Sequence, residues 1–424
     1  MNGTYEKILE YVLTLPLIDS HEHVAWREEY REKNTDILNE YLYHYIDTEM
    51  MSAGMSWEER LQVIDTSRPL MERWKICEPY WNLVRNTGHA RSLDLAVQAL
   101  YGAPRIDGNT IEGLNEQFMR SLNGGQYQKV FKELSNIEYA VLDVYSSSMD
   151  IDRKYFRGVF HIECLQNPCS GGFIDELEKK GVTFKTLDDW LAIADAELNE
   201  ALKNGAVGFK SAIAYSRPIC FGNPTKAEAE ESLKFVLARR KEMSGAPNPC
   251  APETRALEDF MMHRILKFAE EHGLVMQIHT GAQGPNWRRI PDTDPSLLFS
   301  ILAKYPGVKF DLLHSGYPYH AMTGAISQMY PNAFIDMAWT HMMNPEAAVN
   351  MLHEWLGHVP ANKIIGFGGD YALVDGICGH QLLARRNVSR TLARKVDEGS
   401  CDMDMAKWLA HRILYANGRA LYGE

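Results

Sequence analysis

The sequence lacks the paired cysteines that mark a disulfide framework or a structural zinc cluster. Its seven cysteines are spread from Cys77 to Cys401, and no two of them form a C-x-x-C motif. Either kind of cross-link needs closer spacing or an extracellular setting. We therefore expect reduced thiols, most of which fill the core.

Long apolar runs and blocks of basic residues are absent as well. No apolar run approaches the ~20 residues of a membrane span, and residues 1–7 lack the apolar centre of a signal peptide. The 44 lysines and arginines face 56 aspartates and glutamates, and the net charge of -12 repels phosphate backbones and anionic lipid. The sequence predicts a soluble, cytoplasmic protein that acts on a small molecule, without nucleic acid or membrane as a partner. It leaves homo-oligomers open.

Eight short apolar runs alternate with longer amphipathic segments along the 424 residues. The runs cover residues 15–23, 137–144, 158–165, 206–210, 274–279, 308–314, 333–339 and 363–370. The segments that predict helices include residues 187–204, 252–272, 294–305 and 345–356. This alternation is typical of an α/β fold, the (β/α)8 TIM barrel. We predict a single such domain over residues 1–424.

The chain is longer than the ~250 residues that such a barrel needs. Most of the excess lies in residues 25–136, a helical insertion between the first two strands, and a second extension runs from 216 through the turn-rich segment 244–249. Both follow the carboxyl end of a strand, where barrels carry their active sites. We therefore expect the insertion to form a lid.

His21 and His23 end the first apolar run, in the sequence His-Glu-His. Residues i and i+2 of a strand point the same way, so the two imidazoles leave the strand side by side. This is the geometry of two ligands for one metal ion.

Four more polar residues close later strands: Lys210, His279, His314 and Asp370. Each has a structural alternative when it is taken alone: a hydrogen-bonded buried histidine, a helix N-cap for Asp370, or a salt-bridge partner for Lys210. In a barrel, however, the carboxyl ends of all strands meet in one pocket. Together with the histidine pair, these residues predict a metal site.

The strand ends also resemble a known family. The stretches Val-Gly-Phe-Lys-Ser at 207–211, His-Thr-Gly at 279–281, Leu-His-Ser-Gly-Tyr-Pro-Tyr at 313–319 and Gly-Phe-Gly-Gly-Asp at 366–370 are similar to the amidohydrolase superfamily of metal-dependent barrels. They look most like its "amidohydrolase 2" branch, which includes the amidohydrolase half of nodulin/glutamine-synthetase-like fusion proteins and distant relatives of uronate isomerase. The resemblance runs from residue 17 to about residue 370.

The resemblance implies roles for the strand-end residues. His21, His23 and Asp370 would hold one divalent cation, for which Zn²⁺ suits the donor set. His279 and His314 would hold a second ion or steer the substrate, and His314 counts among the catalytic residues. Metal-bound water would be the nucleophile, with Asp370 as its general base.

Lys210 decides between one and two metal ions. In this superfamily a lysine at the end of strand four is often carboxylated and bridges two metals, and the alternative is an ammonium that binds a substrate carboxylate. The resemblance also makes Tyr215 a catalytic residue that polarises the scissile carbonyl.

Three residues on loops that rim the expected pocket are candidates for substrate binding: Arg217, Trp287 and Arg288. Arginine pairs with carboxylates and tryptophan offers a flat apolar wall, and the alternative is surface charge and a lid contact. Residues with a weaker case are Arg289, His161, Glu163, Trp339 and His341.

The leading hypothesis is a metal-dependent hydrolase that cleaves an amide or lactone bond in a small, carboxylated substrate. The alternative is a sugar-acid isomerase or a decarboxylase on the same site, because uronate isomerases carry a comparable insertion. A catalytically silent metal-binding scaffold is disfavoured, since Asp370 is present after its glycine-rich approach.

Overall fold

The computed structural model describes residues 3–42, 45–243 and 251–423, and an eight-stranded parallel sheet runs through them. Each strand pairs with the next one in the chain, from β1 to β8. The backbone nitrogens of Ser20 and Asp370 donate to the carbonyl oxygens of Phe367 and His21, which joins the segment after β8 to β1. The predicted (β/α)8 barrel is confirmed. Its strands are β1 (Leu17–Glu22), β2 (Ile137–Val144), β3 (Phe156–His161), β4 (Ala206–Ser211), β5 (Val275–His279), β6 (Lys309–Leu313), β7 (Ala333–Asp336) and β8 (Ile364–Ile365).

The helices of the described residues surround the sheet or belong to the insertion. They are α1 (Thr4–Thr14), α2 (Ile37–Tyr41), α3 (Ile46–Ser52), α4 (Trp57–Ile64), α5 (Leu70–Val84), α6 (Gly88–Tyr101), α7 (Ile111–Ser121), α8 (Glu163–Gln166), α9 (Phe173–Lys179), α10 (Leu187–Lys203), α11 (Lys226–Ala238), α12 (Arg240–Met243), α13 (Arg255–His272), α14 (Phe299–Lys304), α15 (His320–Met329), α16 (Thr340–Met343), α17 (Pro345–Trp355), α18 (Val374–Asp397), α19 (Met403–His411) and α20 (Asn417–Tyr422). Segments Gln128–Leu134 and Arg412–Ala416 are π-helical.

Several predicted elements differ in extent from the observed ones, and three of them show why. The run 158–165 continues past β3 as the short helix α8. The run 363–370 forms a strand only over β8, because the glycine-rich segment that follows leaves the ladder. The predicted helix 294–305 begins as a 3-10 turn at Pro295–Leu298, where proline occupies the first turn, and becomes α-helical over α14.

The insertion is held on α18 by a buried carboxylate. Asp375 accepts hydrogen bonds from the Tyr41 hydroxyl (2.7 Å), the Tyr101 hydroxyl (2.5 Å) and Gln126 Nε2 (2.6 Å). These donors come from α2, α6 and the segment after α7, so one side chain ties three parts of the insertion to the barrel. Its role as a lid stays a prediction, and the turn-rich segment 244–249 lies outside the described residues.

The structure also describes the state of six cysteines and the apolar character of the helices. All six described cysteines are free thiols, and Cys250 lies outside the described residues. None of the helices in the described ranges combines the length and apolar character needed to cross a membrane.

Two buried carboxyl groups, Asp311 on β6 and Asp336 on β7, make the stability of the barrel depend on pH. Burial raises the pKa of Asp311 to about 6, and burial together with the nearby Asp311 charge raises the pKa of Asp336 well above its usual range. From about pH 4 upward, the folded chain therefore holds protons that the unfolded chain releases. The free energy of unfolding contributed by this pair falls as the pH rises through about 6.

We expect the wild-type protein to lose at least about 1 kcal/mol more unfolding free energy between about pH 5 and about pH 8 than the Asp336→Asn variant. Asparagine keeps the oxygen that accepts from Ala338 N but does not titrate. Urea unfolding of both proteins at the two pH values measures the difference. Equal losses would show that the pair titrates normally in the folded chain.

Candidate functional site

The end of β1 and the segment after β8 bring His21, His23 and Asp370 together. Asp370 Oδ1 lies 3.1 Å from His23 Nε2 and 3.6 Å from His21 Nε2. His21 is fully buried, and Lys210 Nζ from β4 lies 2.9 Å from its Nε2. The strand-end residues therefore converge at the carboxyl end of the barrel, where parallel strands direct them.

The tautomer of His21 is defined by its partner on β5, Gln277. Gln277 Nε2 donates to the carbonyl oxygen of Ser20 at 2.8 Å, so its Oε1 is the atom that lies 3.0 Å from His21 Nδ1. An amide oxygen only accepts, and His21 Nδ1 must therefore carry the proton. The lone pair of His21 Nε2 faces the site.

His279 and His314 place two more nitrogen lone pairs against each other. His279 Nε2 donates to Ala282 O (2.9 Å) and His314 Nδ1 donates to Ala338 O (3.2 Å), which leaves His279 Nδ1 and His314 Nε2 as acceptors 3.0 Å apart. Burial lowers the pKa of His314 to about 4, and burial and then the neighbouring His314 charge lower the pKa of His279 well below its usual range. Two facing lone pairs repel each other, and either a proton on one of them or a metal ion bound by both would relieve this repulsion. Their spacing suits two nitrogen ligands at about 2.1 Å from one ion.

The backbone holds Asp370 in a strained position beside β1. Its φ is +56°, in the left-handed region, and its N–H donates to His21 O at 2.8 Å. A Cβ on the preceding Gly369 would come within 1.7 Å of Glu22 Oε1, so any larger residue would have to displace this buried side chain. The N-cap alternative for Asp370 fails, because α18 begins four residues later, at Val374, and Leu373 occupies its N-cap position.

Tyr45 from the insertion contacts the second oxygen of Asp370. Its hydroxyl lies 2.7 Å from Asp370 Oδ2 and 2.6 Å from the backbone oxygen of the same residue, and its ring stacks on Trp339 with 4.6 Å between the ring centroids. Burial opposes ionisation of Asp370, but the nearby His314 and His23 hold its pKa well below the usual range. Asp370 is therefore a carboxylate with one oxygen toward the histidines and the other on Tyr45.

Asp143 on β2 is a site residue that the sequence analysis missed. Its carboxylate and the side chains of His21 and His23 offer three metal-competent atoms within 4.8 Å of one another. Asp143 Oδ2 also lies 2.9 Å from His161 Nδ1. The other ring nitrogen of His161, Nε2, contacts the carboxylate of Glu163. The sequence did contain a signal for Asp143. It is the next-to-last residue of the predicted strand 137–144, so it lies at a strand end like the other site residues.

His161 is a cation between these carboxylates. Burial alone would lower its pKa, but the charges of Asp143 and Glu163 outweigh burial and raise the pKa to about 10. His161 in turn holds the pKa of Asp143 below its usual range, although burial opposes this. The pair Asp143 and His161 therefore forms a charged wall beside His23.

A cavity of about 990 Å³ opens above this cluster. The barrel contributes several of its walls, and the insertion covers it with Tyr45, Asp47, Thr48, Met51, Trp57 and Arg60. Tyr215, Trp287 and Arg288 also line it, as the sequence analysis expected of them. The ring of Tyr215 packs edge-on against that of His279, with 4.7 Å between the ring centroids. Arg288 Nη1 donates to the backbone oxygen of Tyr215 at 3.1 Å. Trp287 stands at the mouth and is 98% exposed.

Arg217, expected to bind substrate, does not reach the cavity. Its guanidinium is buried against two carboxylates of α13, with Nε 2.8 Å from Glu258 Oε2 and Nη2 2.6 Å from Asp259 Oδ1. A buried arginine needs such partners, and these two neutralise it. The expectation is corrected: Arg217 fastens the loop after β4 to α13. His341 likewise lies apart from the cavity, with Nε2 donating to Gly366 O at 2.8 Å.

A family model described as "Amidohydrolase" (Amidohydro_2) matches residues 186–423, which include β4 to β8 and more than half of the chain. The chain belongs to this amidohydrolase family. The match covers Lys210, His279, His314 and Asp370, whereas the β1 histidines and the insertion precede it. The strand-end motifs of the sequence thus identified the right family.

Individual relatives match different amounts of the chain. Protein fluG of Emericella nidulans is 27% identical over 234 residues, which are 54% of this chain but only 27% of fluG. A uronate isomerase of Thermotoga neapolitana is 22% identical over 464 aligned positions, 99% of this chain and 97% of that protein. The structure of a uronate isomerase from Thermotoga maritima superposes with a TM-score of 0.79 at 18% identity, covering 100% of this chain and 98% of that one. Because the matches to both uronate isomerases cover at least 99% of this chain, they include the insertion.

Proposed function

We propose that this amidohydrolase-family protein is a metal-dependent isomerase of a small sugar acid. The observation that carries the proposal is the contact between Tyr45 and Asp370, which brings a second proton-transfer group from the insertion onto the strand-end aspartate. The uronate isomerase of Thermotoga neapolitana aligns along nearly its whole length, and this supports the same reaction.

The described residues fit a divalent cation. Three histidine nitrogens carry lone pairs at this end of the barrel: His279 Nδ1 and His314 Nε2, which face each other, and His21 Nε2, which faces Lys210 Nζ at 2.9 Å. Together with His23 and the Asp370 carboxylate they form a nitrogen and oxygen donor set that suits Zn²⁺. When bound, such an ion polarises carbonyl and hydroxyl oxygens of the substrate.

The chain's own groups can move the proton. An aldose becomes a ketose when a proton leaves C2, another arrives at C1, and the hydroxyl proton on C2 is lost while the carbonyl oxygen gains one. The Asp370 carboxylate can accept a proton. The Tyr45 hydroxyl can donate one to Oδ2 of Asp370 or to the substrate. Both are buried, which keeps solvent from competing for the proton.

Cationic side chains around the cavity suit a substrate carboxylate. Lys210 is buried at its floor, and Arg288 lies at its rim beside Trp287. Arg60 in the insertion is already paired with Asp47 at 2.7 Å, so it is the weaker candidate. We assign Arg288, whose guanidinium lies over the Tyr215 ring, to substrate binding, and as an ammonium Lys210 would bind the same carboxylate.

Hydrolysis of an amide or lactone is the second candidate. It is favoured by the position of Asp370 Oδ1 within 3.6 Å of both β1 histidines, where the carboxylate could take a proton from an attacking water molecule. This chemistry would need only the strand-end residues, and Tyr45 would then serve to orient Asp370.

A substrate panel separates the two candidates. We expect the purified protein to interconvert at least one aldose and ketose uronate, to lose that activity on dialysis against a chelator, and to regain it with Zn²⁺. Acyl-amino acids, dipeptides and lactones serve as the hydrolase arm of the panel. Turnover of these compounds without any uronate activity would replace the proposal with the hydrolase.

Lys210 gives a separate test of the number of metal ions. If it is carboxylated and bridges two ions, reconstitution of the apoprotein should depend on bicarbonate, because only the carbamate supplies the bridging oxygens. Lys210→Ala should then lower the stoichiometry from two metals toward one, with partial rescue by a small carboxylic acid. A single metal, restored equally well without CO₂, would instead make Lys210 the ammonium that binds substrate. Elemental analysis of metal per chain decides between these outcomes.

A further inference from the structure

A chain of hydrogen bonds runs through the barrel interior from the last helix to His21. The side chain of Tyr422, at the end of α20, is buried inside the amino end of the barrel with Ile18, Val141 and Val275. Its hydroxyl contacts the carboxylate of Asp311 on β6. Barrel interiors are usually filled by apolar side chains, so a polar path at this depth needs an explanation.

The next bonds connect this tyrosine to the site. Gln277 Nε2 donates to Tyr422 Oη at 2.6 Å and to Ser20 O at 2.8 Å. Gln277 Oε1 then accepts from His21 Nδ1 at 3.0 Å. Gln277 is completely buried, and its side chain is the only described link between Tyr422 and His21 in this path.

The direction of each bond follows from the one before it. A carboxylate only accepts, so the Tyr422 hydroxyl donates to Asp311 and offers its oxygen lone pair to Gln277. Both amide protons of Gln277 are thereby used, on Tyr422 and on Ser20, and its oxygen is turned toward His21. The amide is held in one of its two orientations.

We infer that Tyr422 and Gln277 are positioning residues that fix His21 in the tautomer with its proton on Nδ1 and its Nε2 lone pair toward the strand-end cluster. In metal sites the second nitrogen of a ligating histidine is commonly oriented by such a partner. The link to metal affinity rests on the proposed function, in which His21 is a ligand. The link to the tautomer does not, because it concerns the protein without metal.

Tyr139 on β2 offers a matched control. It belongs to the same apolar cluster as Tyr422, and its hydroxyl donates to Gly423 O at 2.8 Å, next to Tyr422. Tyr139→Phe therefore removes a buried hydroxyl that also fastens the carboxyl-terminal segment but does not touch Gln277. A general loosening of α20 would appear in both variants.

The first readout is the ¹⁵N spectrum of histidine-labelled apoprotein above neutral pH, with the His21 signals identified by their loss in His21→Gln. We expect the wild-type protein and Tyr139→Phe to show His21 protonated at Nδ1. Each variant is made in a Lys210→Met background, because Lys210 Nζ lies 2.9 Å from His21 Nε2 and would itself favour the proton on Nδ1. In that background we expect Gln277→Met, which removes the accepting oxygen, to lose this pattern, and Tyr422→Phe to show a mixture of tautomers. An unchanged His21 pattern in Gln277→Met, or in Tyr422→Phe should Gln277→Met not fold, would overturn the inference.

The second readout is the Zn²⁺ dissociation constant measured by competition with a chelator. We expect an increase of about 10 to 100-fold in Gln277→Met and about tenfold in Tyr422→Phe, against less than about twofold in Tyr139→Phe. Equal effects of the two tyrosine variants would reduce Tyr422 to a structural role. Wild-type protein that binds no Zn²⁺ would refute the proposed metal site while the tautomer measurement still decides the positioning role.

Discussion

Replacing His21 or His23 by alanine is expected to remove the divalent metal and to abolish activity. The two imidazoles and the Asp370 carboxylate share one small space, with Asp370 Oδ1 3.1 Å and 3.6 Å from their Nε2 atoms. Removing either histidine takes away a nitrogen ligand that no other described side chain on β1 replaces. Metal content per chain by elemental analysis, together with turnover, measures the effect.

A control for this pair is His353→Ala. His353 lies on α17 and pairs with Glu398 at 2.8 Å, away from the barrel mouth. It should keep metal and activity at the wild-type level, which separates a loss of ligands from the loss of any histidine. Full metal occupancy in the His21→Ala and His23→Ala double variant would refute the site assignment.

Asp370→Asn is expected to lower turnover by about 10² or more while most of the metal stays bound. Asparagine keeps an oxygen beside the β1 histidines, but its amide cannot take up a proton at neutral pH. The low pKa of Asp370, held down by His314 and His23 against the opposing effect of burial, keeps the wild-type side chain in its accepting form. Steady-state kinetics and metal analysis on the same preparation test both halves of the expectation.

Tyr45→Phe is the informative companion variant. It removes the hydroxyl 2.7 Å from Asp370 Oδ2 and leaves the stacked ring on Trp339 in place. A large loss of turnover in both variants fits a proton shared between the two residues. Wild-type rates in Asp370→Asn would assign the base to another group, and Asp188→Asn, an exposed substitution near Lys226, controls for the loss of a carboxylate elsewhere.

The sequence was sufficient to predict the barrel and the residues at its strand ends. Side chains alternate along a strand, and parallel strands end on one face, so His21, His23, His279 and His314 had to converge once the strands were located. Local pattern and topology carry this information without any knowledge of packing. The same reasoning applies to Asp143 near the end of β2, but the sequence analysis did not include it among the site residues.

Tyr45 and Arg217 show what the sequence could not give. The position of Tyr45 depends on how the insertion folds back over the barrel, which includes contacts of its helices with Asp375 more than 300 residues away. Arg217 follows Tyr215 closely, yet its direction is decided by Glu258 and Asp259 on another helix. Both outcomes depend on long-range packing that a local motif does not encode.

The fate of solvent isotopes tests the proposed isomerisation most directly. An active sugar acid is turned over once in deuterated water and once in ¹⁸O-water, and the products are analysed by mass spectrometry and NMR. Proton transfer through Asp370 and Tyr45 predicts solvent deuterium on a carbon next to the carbonyl group and no ¹⁸O in a newly formed carboxylate. Label from ¹⁸O-water in a new carboxylate, without deuterium on carbon, would contradict the isomerase and establish hydrolysis.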